Sequence, residues 1–304
     1  MTRILMRKLC ATTLLCLGGM SVATANDNVY YGESAGYDSE SGEGTGNAGF
    51  GKSALMRNRN GSQNSGFGGT ALMSNTDGSG NAAFGFQALF LNQADSNSAF
   101  GAAALQDNTI GKNNVAIGAG DLYRNEGSNN IGLGTDAGQT QSTGSNNIYI
   151  GSDGAEVENG QIKIGTKGKH SNVTIAGVSG NTVSGGTTVL VNSKGELGTV
   201  MSSRRYKEAV TEMSMGSNAL QSLRPVSFKY RAEAGGDGKT LEYGLIAEEV
   251  ASVAPELAVY DDAGKPTAVR YHLLAPMLLN EVQIQRREIN KQATTIKRST
   301  QSSL

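Results

Sequence analysis

The sequence predicts a two-part molecule: a mainly β N-terminal part built as a parallel β-roll, then a small α+β part ending in a long helix. Three observations predict it. Thirty-four glycines fall among residues 26–200 and six among 201–304, whereas all four prolines (Pro225, Pro255, Pro266 and Pro276) lie after residue 200. A short Asn- and Gly-containing pattern recurs every sixteen or seventeen residues between 47 and 151. A seven-residue apolar spacing runs through the C-terminal stretch.

Residues 1–25 stand apart and read as a secretory signal peptide. Arg3, Arg7 and Lys8 form a basic start, Leu9 to Val22 is an apolar stretch too short to span a bilayer comfortably, and Ala23-Thr24-Ala25 is a small-x-small site with cleavage after Ala25. An uncleaved anchor is one alternative. A lipoprotein centred on Cys16 is the other, and the bulky Leu15 argues against it. Both cysteines, Cys10 and Cys16, fall within this leader. The mature chain is then expected to hold no disulfide, thiolate nucleophile or thiolate metal site.

Without the leader's three basic residues the chain has 23 Lys and Arg against 27 Asp and Glu, a net charge of −4. That balance points to no nucleic-acid partner and to no anionic lipid surface. No later apolar run reaches the length of about 18 residues a spanning helix needs, and the end of the chain lacks the alternating strands of a barrel anchor. The mature chain is therefore expected to be exported, secreted or at the cell surface, with no transmembrane anchor.

The repeat reads Asn, x, Ala or Gly, apolar, Gly. It begins at Asn47, Asn64, Asn81, Asn97, Asn114, Asn130 and Asn147, with spacings of 17, 17, 16, 17, 16 and 17. An Ala-Leu pair follows at Ala54-Leu55, Ala71-Leu72, Ala88-Leu89 and Ala104-Leu105, and a turn Asn at Asn58, Asn75, Asn92, Asn108 and Asn125. Each unit is expected to hold two very short strands broken by turns, with its bulky apolar residue and its Ala-Leu pair facing inward. Gly supplies the positive φ of the corners and Asn tolerates it. Sixteen residues bury no core alone, so units must stack, seven of them reaching roughly 35 Å. A single thin roll is marginal, which favours three rolls packed together. Residues 26–43 lead in, 44–151 form the repeats, and 152–200 form a β-rich neck with short strands at 161–165, 172–176 and 187–191.

The Asn-x-Ala-apolar-Gly units with their Ala-Leu and Asn landmarks resemble the head repeats of trimeric autotransporter adhesins of the YadA type. The resemblance covers residues 44–151 and implies a left-handed, trimeric parallel β-roll. Such heads bind varied targets, so a host-surface or glycan ligand and a plain spacer both stay open.

From Met201 the composition is that of an ordinary α+β domain. Residues 225–230 and 269–271 read as strands, 241–244 leads into a helix over 246–253 halted at Pro255, and a helix runs from about His272 to Lys297. Ala275, Val282, Ile289 and Ile296 form a heptad seam, with Gln285 and Gln292 at the alternate positions. The run Ser202-Ser203-Arg204-Arg205-Tyr206-Lys207-Glu208 joins Tyr243-Gly-Leu-Ile-Ala-Glu-Glu-Val250, Pro255-Glu-Leu257 and Val269-Arg-Tyr271 with Leu274. Together they resemble the C-terminal intramolecular chaperone of endosialidases and phage tail spikes, the S74 peptidase group, over residues 201–298.

That resemblance implies a domain (201–304) that trimerises, assembles the β-stalk before it and then cuts itself off. The implied nucleophile is Ser202, the helper Lys207, and the scissile bond Met201–Ser202. Ser203 stands where relatives often carry Asp and is a competing hydroxyl; the five-residue spacing to Lys207 favours Ser202. A serine hydroxyl needs a base, and lysine serves only when neutral, through desolvation or nearby cations such as Arg204 and Arg205.

His272 reads as a packing or surface residue and Glu248-Glu249 as a helix face, while His170 carries no assigned role. No His and carboxylate cluster has metal-ligand spacing and no glycine run has the phosphate-loop pattern, so neither metal nor cofactor is expected. The function expected is a bacterial, adhesin-like homotrimeric fibre whose one enzymatic act is on its own chain. The alternative is a non-cleaving spacer or tail-fibre-like protein whose C-terminal domain stays as a permanent trimerisation cap.

Overall fold

The computed structural model describes residues 28–39, 42, 44–213 and 217–301. The expected signal peptide, with both cysteines and the bond after Ala25, lies outside them. No helix of the described residues is long and apolar enough to cross a membrane. The chain divides into two compact units between Ala176 and Gly177.

The first unit is a β-solenoid. Nine three-residue strands form one sheet in chain order: β1 (Val29–Tyr31), β2 (Ala48–Phe50), β3 (Ser65–Phe67), β4 (Ala82–Phe84), β5 (Ser98–Phe100), β6 (Val115–Ile117), β7 (Ile131–Leu133), β8 (Ile148–Ile150) and β9 (Ile162–Ile164). All pairings are parallel and in register, so Phe50 lies opposite Phe67 and Phe67 opposite Phe84. The segment expected to open the neck as a strand at 161–165 is β9 of this sheet. At a spacing of about 4.8 Å, nine strands span roughly 38 Å.

Each turn holds one strand, where the repeat suggested two. The Ala-Leu half is a tight corner: Leu55, Leu72, Leu89, Leu105 and Leu122 all take left-handed backbone, with φ of 52°, 52°, 51°, 50° and 49°. Such a conformation costs a β-carbon residue roughly 1–2 kcal/mol. Each of these leucines is wholly buried, which returns about 1.5–3 kcal/mol per side chain. The strained corner holds because its side chain fills the core.

The bulky strand residue faces outward, not inward. Side chains alternate along a strand, so in Ala48-Gly49-Phe50 only the middle residue points into the solenoid. That interior column is Gly49, Gly66, Ala83, Ala99, Ala116 and Gly132, all buried, before Tyr149 fills it. The space between sheet and corner accepts little more than a methyl group there. The outer column stacks Phe50, Phe67, Phe84 and Phe100, ring centroids 4.9, 4.8 and 5.0 Å apart, and continues as Ile117, Leu133, Ile150 and Ile164. Phe84 is 38% exposed and Phe100 42%.

Glycine is required where the strand ends. At Gly85, φ is 147° and a β-carbon would lie 2.4 Å from the carbonyl oxygen of Gly101 on the next turn. The repeat asparagines are not the left-handed residues; they are buried rungs. The Asn64 backbone N–H donates to Asn47 Oδ1 at 2.9 Å, while the Asn64 Nδ2 donates to the Gly78 carbonyl at 2.8 Å. The same backbone-to-side-chain step repeats from Asn47 on Asn28 to Gln161 on Asn147. A second ladder links Asn58, Asn75, Asn92 and Asn108 side chain to side chain, at 2.8, 3.0 and 2.8 Å. These rungs satisfy backbone groups that a buried corner would otherwise leave unpaired.

The expected strand at 172–176, at the end of the first unit, does not form. In the second unit that at 187–191 narrows to β10 (Leu190–Val191), which pairs antiparallel with β11 (Leu197–Gly198). After α1 (Ser217–Ser222), β12 (Val226–Phe228) pairs antiparallel with β13 (Glu242–Gly244). Helix α2 (Ala247–Val253) ends at Pro255, which opens a 3-10 turn. The hairpin of β14 (Ala258–Tyr260) and β15 (Pro266–Val269) precedes α3 (Tyr271–Gln301). Tyr271 therefore starts the helix instead of ending a strand. Val250, Ala254, Leu257 and Met277 form the core, with Leu245, Val269, Leu273 and Leu274 against it. Farther along α3 the heptad residues Val282, Ile289 and Ile296 are 60%, 54% and 64% exposed.

Candidate active site

The segment from Met201 to Met213 is exposed along its whole length. Ser203 is extended and caps a single 3-10 turn, Arg204–Tyr206. The Tyr206 N–H donates to the Ser203 carbonyl and the Lys207 N–H to the Arg204 carbonyl, both at 3.0 Å. This turn shortens the path between positions 202 and 207, as three-residue-per-turn backbone does. It brings the Lys207 Nζ to 3.0 Å from Ser202 Oγ, with the amine donating. The two residues singled out from the sequence are thus in hydrogen-bond contact.

Their neighbours are arranged around the same turn. The Arg205 guanidinium carbon lies 4.8 Å from the centre of the Tyr206 ring, a cation–π contact that holds this cation against its neighbour. Ser203 contributes its carbonyl to the turn, and its side chain makes no capping bond. Met201, on the other side of the candidate scissile bond, is 60% exposed.

The remaining sequence landmarks lie farther along the second unit. The Tyr271 hydroxyl accepts the Leu245 backbone N–H at 2.8 Å. Arg224 clamps Glu249 with both its Nε, at 3.1 Å, and its Nη2. That guanidinium holds the Glu249 carboxyl below its ordinary range. Glu249 is accordingly an ion-pair partner, and its neighbour Glu248 lies in the same first turn of α2. His272 is exposed on α3. Among the described residues no three His, Cys, Asp or Glu side chains converge as a metal site would require. Sequence reasoning assigned no role to Tyr271, Gly244 or Arg224. Gly244 and Tyr271 lie within the motifs 243–250 and 269–271, but nothing in their spacing shows that a β-carbon on Gly244 would lie 2.6 Å from the Tyr271 hydroxyl.

The chain thus joins a β-solenoid to a small α+β unit that ends in a long helix. Residues 202–259 match the family model for the chaperone of endosialidase, Peptidase_S74, so the second unit carries a domain of that family. No curated protein and no solved structure matches the chain.

Proposed function

We propose that this chain is an exported, homotrimeric, adhesin-like fibre protein whose C-terminal domain assembles the trimer and then releases itself by cleavage of Met201–Ser202. The observation that carries the reading is the 3.0 Å contact between Lys207 Nζ and Ser202 Oγ inside the segment matching the endosialidase chaperone family.

In the proposed reaction the neutral Lys207 amine takes the Ser202 hydroxyl proton, and Oγ attacks the carbonyl carbon of Met201. The amide C–N bond breaks as the nitrogen gains a proton, leaving Met201 esterified to Ser202 Oγ. Water then hydrolyses the ester to a Met201 carboxylate and a Ser202 hydroxyl with a free amine. A neutral lysine needs a water-poor site. With the whole segment exposed in one protomer, association of three chains is the step that would bury it, so cleavage would follow assembly.

Two exposed apolar faces support the trimer. One is the outer Phe/Ile column of the solenoid, the other the Val282, Ile289 and Ile296 seam of α3. Both run the length of their elements, as lateral packing of identical copies requires. In-register assembly is a real problem for a repeat, because a slip of one turn preserves most contacts. A separate domain that aligns three chains removes it.

Exposure of the Ser-Lys pair also favours a second reading, in which the domain never cleaves and remains a permanent trimerisation cap. Intact-mass measurement on the expressed chain beside its Ser202→Ala variant separates the two. Self-cleavage gives a fragment that begins at Ser202 from wild type only. Two intact chains would leave the cap.

A further inference from the structure

Asp121 breaks the rule of the solenoid interior. At its corner position the other turns carry Ala54, Ala71, Ala88, Ala104 and Ala137, all buried. Asp121 is equally buried, at 0% exposure. Its Oδ2 accepts the Ile117 backbone N–H at 2.8 Å, while its Oδ1 is buried with no partner.

The next strand is shaped around it. Gly132 faces the interior of β7 where β4, β5 and β6 carry Ala83, Ala99 and Ala116. A β-carbon on Gly132 would lie 1.8 Å from Asp121 Oδ1. Gly66, in the same column, has its nearest neighbours at 3.4 Å and would accept one. The carboxyl thus occupies the volume of a missing methyl group. The second asparagine ladder is interrupted in the same region, where Asn108 Oδ1 is buried and unpartnered.

We propose that Asp121, seated in the space left by Gly132, is a pH-responsive weak point of the solenoid, packed firmly as the neutral acid and loosened as the carboxylate. An unpaired buried carboxylate is far costlier than a buried neutral acid. Burial pushes the Asp121 carboxyl up to about 7, against the backbone N–H bond from Ile117. Asp136 on the following turn adds like-charge repulsion, while the preceding turn presents Ala104 at the same position. The unfolded carboxyl ionises near 3.9. The folded chain therefore holds a proton that the unfolded chain has released. Stability falls as pH rises from about 4 through 7, and levels off above.

The test is thermal unfolding of the purified chain between pH 5 and pH 8, followed through the β signal. Wild type is expected to lose several degrees, on the order of 5 °C, over that range. Asp121→Ala and Asp121→Asn are expected to lose most of this slope. Gly132→Ala supplies a readout independent of titration: it should lower the melting temperature in wild type and be tolerated in the Asp121→Ala background, which restores the Ala–Ala pairing of neighbouring turns. A wild-type pH slope retained in both Asp121 variants, or an equal cost of Gly132→Ala in both backgrounds, would overturn the proposal.

Discussion

A β-carbon on Gly244 would lie 2.6 Å from the hydroxyl oxygen of Tyr271, the oxygen that accepts the Leu245 N–H. Strand β13 is thereby tied to the start of α3 through a contact only glycine permits. Two residues twenty-seven positions apart explain each other, and together they set the turn from which α2 departs.

Gly244→Ala should destabilise the second unit by about 1–3 kcal/mol, the range for overpacking a filled site. Tyr271→Phe should cost about 1 kcal/mol for the lost hydrogen bond. Differential scanning calorimetry measures both. Equal stability of Gly244→Ala and wild type would show that the contact is slack.

The asparagine rungs predict a sharp contrast between buried and exposed amides. Asn81→Ala removes the acceptor of the Asn97 N–H and the donor to the Ala94 carbonyl, each at 2.9 Å. With the Asn97 N–H left buried and unpaired, while the Ala94 carbonyl keeps the Asn92 amide at 2.7 Å, the loss should be about 1–3 kcal/mol. Asn60→Ala, which removes an exposed contact to Asp77, should fall within about 0.5 kcal/mol of wild type. Chemical denaturation of the two variants side by side decides the matter.

Core and outer face should respond in different assays. Leu89→Ala empties a wholly buried position and is expected to cost about 2–5 kcal/mol of solenoid stability. Phe84→Glu places a charge on the outer column and should leave the single solenoid folded while shifting sedimentation from trimer toward monomer. A trimer unaffected by Phe84→Glu would move the interface to another face.

Lys207→Arg tests the proposed base. Arginine keeps a donor near Ser202 but does not deprotonate in proteins, so release of the C-terminal fragment should stop. Ser203→Ala should leave release intact. The opposite pair of results, read by intact mass, would shift the nucleophile by one residue.

Much of this architecture was legible in the chain. The Asn spacing predicted stacked turns, since a period held over seven units has no other packing solution, and the shift in Gly and Pro usage separated two constructions. The Ser202–Lys207 pair was singled out only through the resemblance of the motifs around it to the S74 group, since a serine and a lysine five residues apart carry no signal by themselves. The direction of the Phe column was not legible. Sequence says that Phe is apolar, whereas the width of the interior, set by Gly66 and Ala83 beside Leu72 and Leu89, leaves no room for its ring. Nor was the role of the repeat asparagines: turn preference and buried ladder call for the same residue, and only the neighbouring turn distinguishes them.

The chain by itself thus determined the repeat and its stacking period, both consequences of local spacing. Three-dimensional packing decided which side chains are inside. Leucine in a left-handed corner, tyrosine over a glycine and aspartate in place of alanine each depend on contacts between residues distant in the chain. Such contacts exist only after the turns have stacked, where space and hydrogen-bond partners, more than residue type, set the energy of a position.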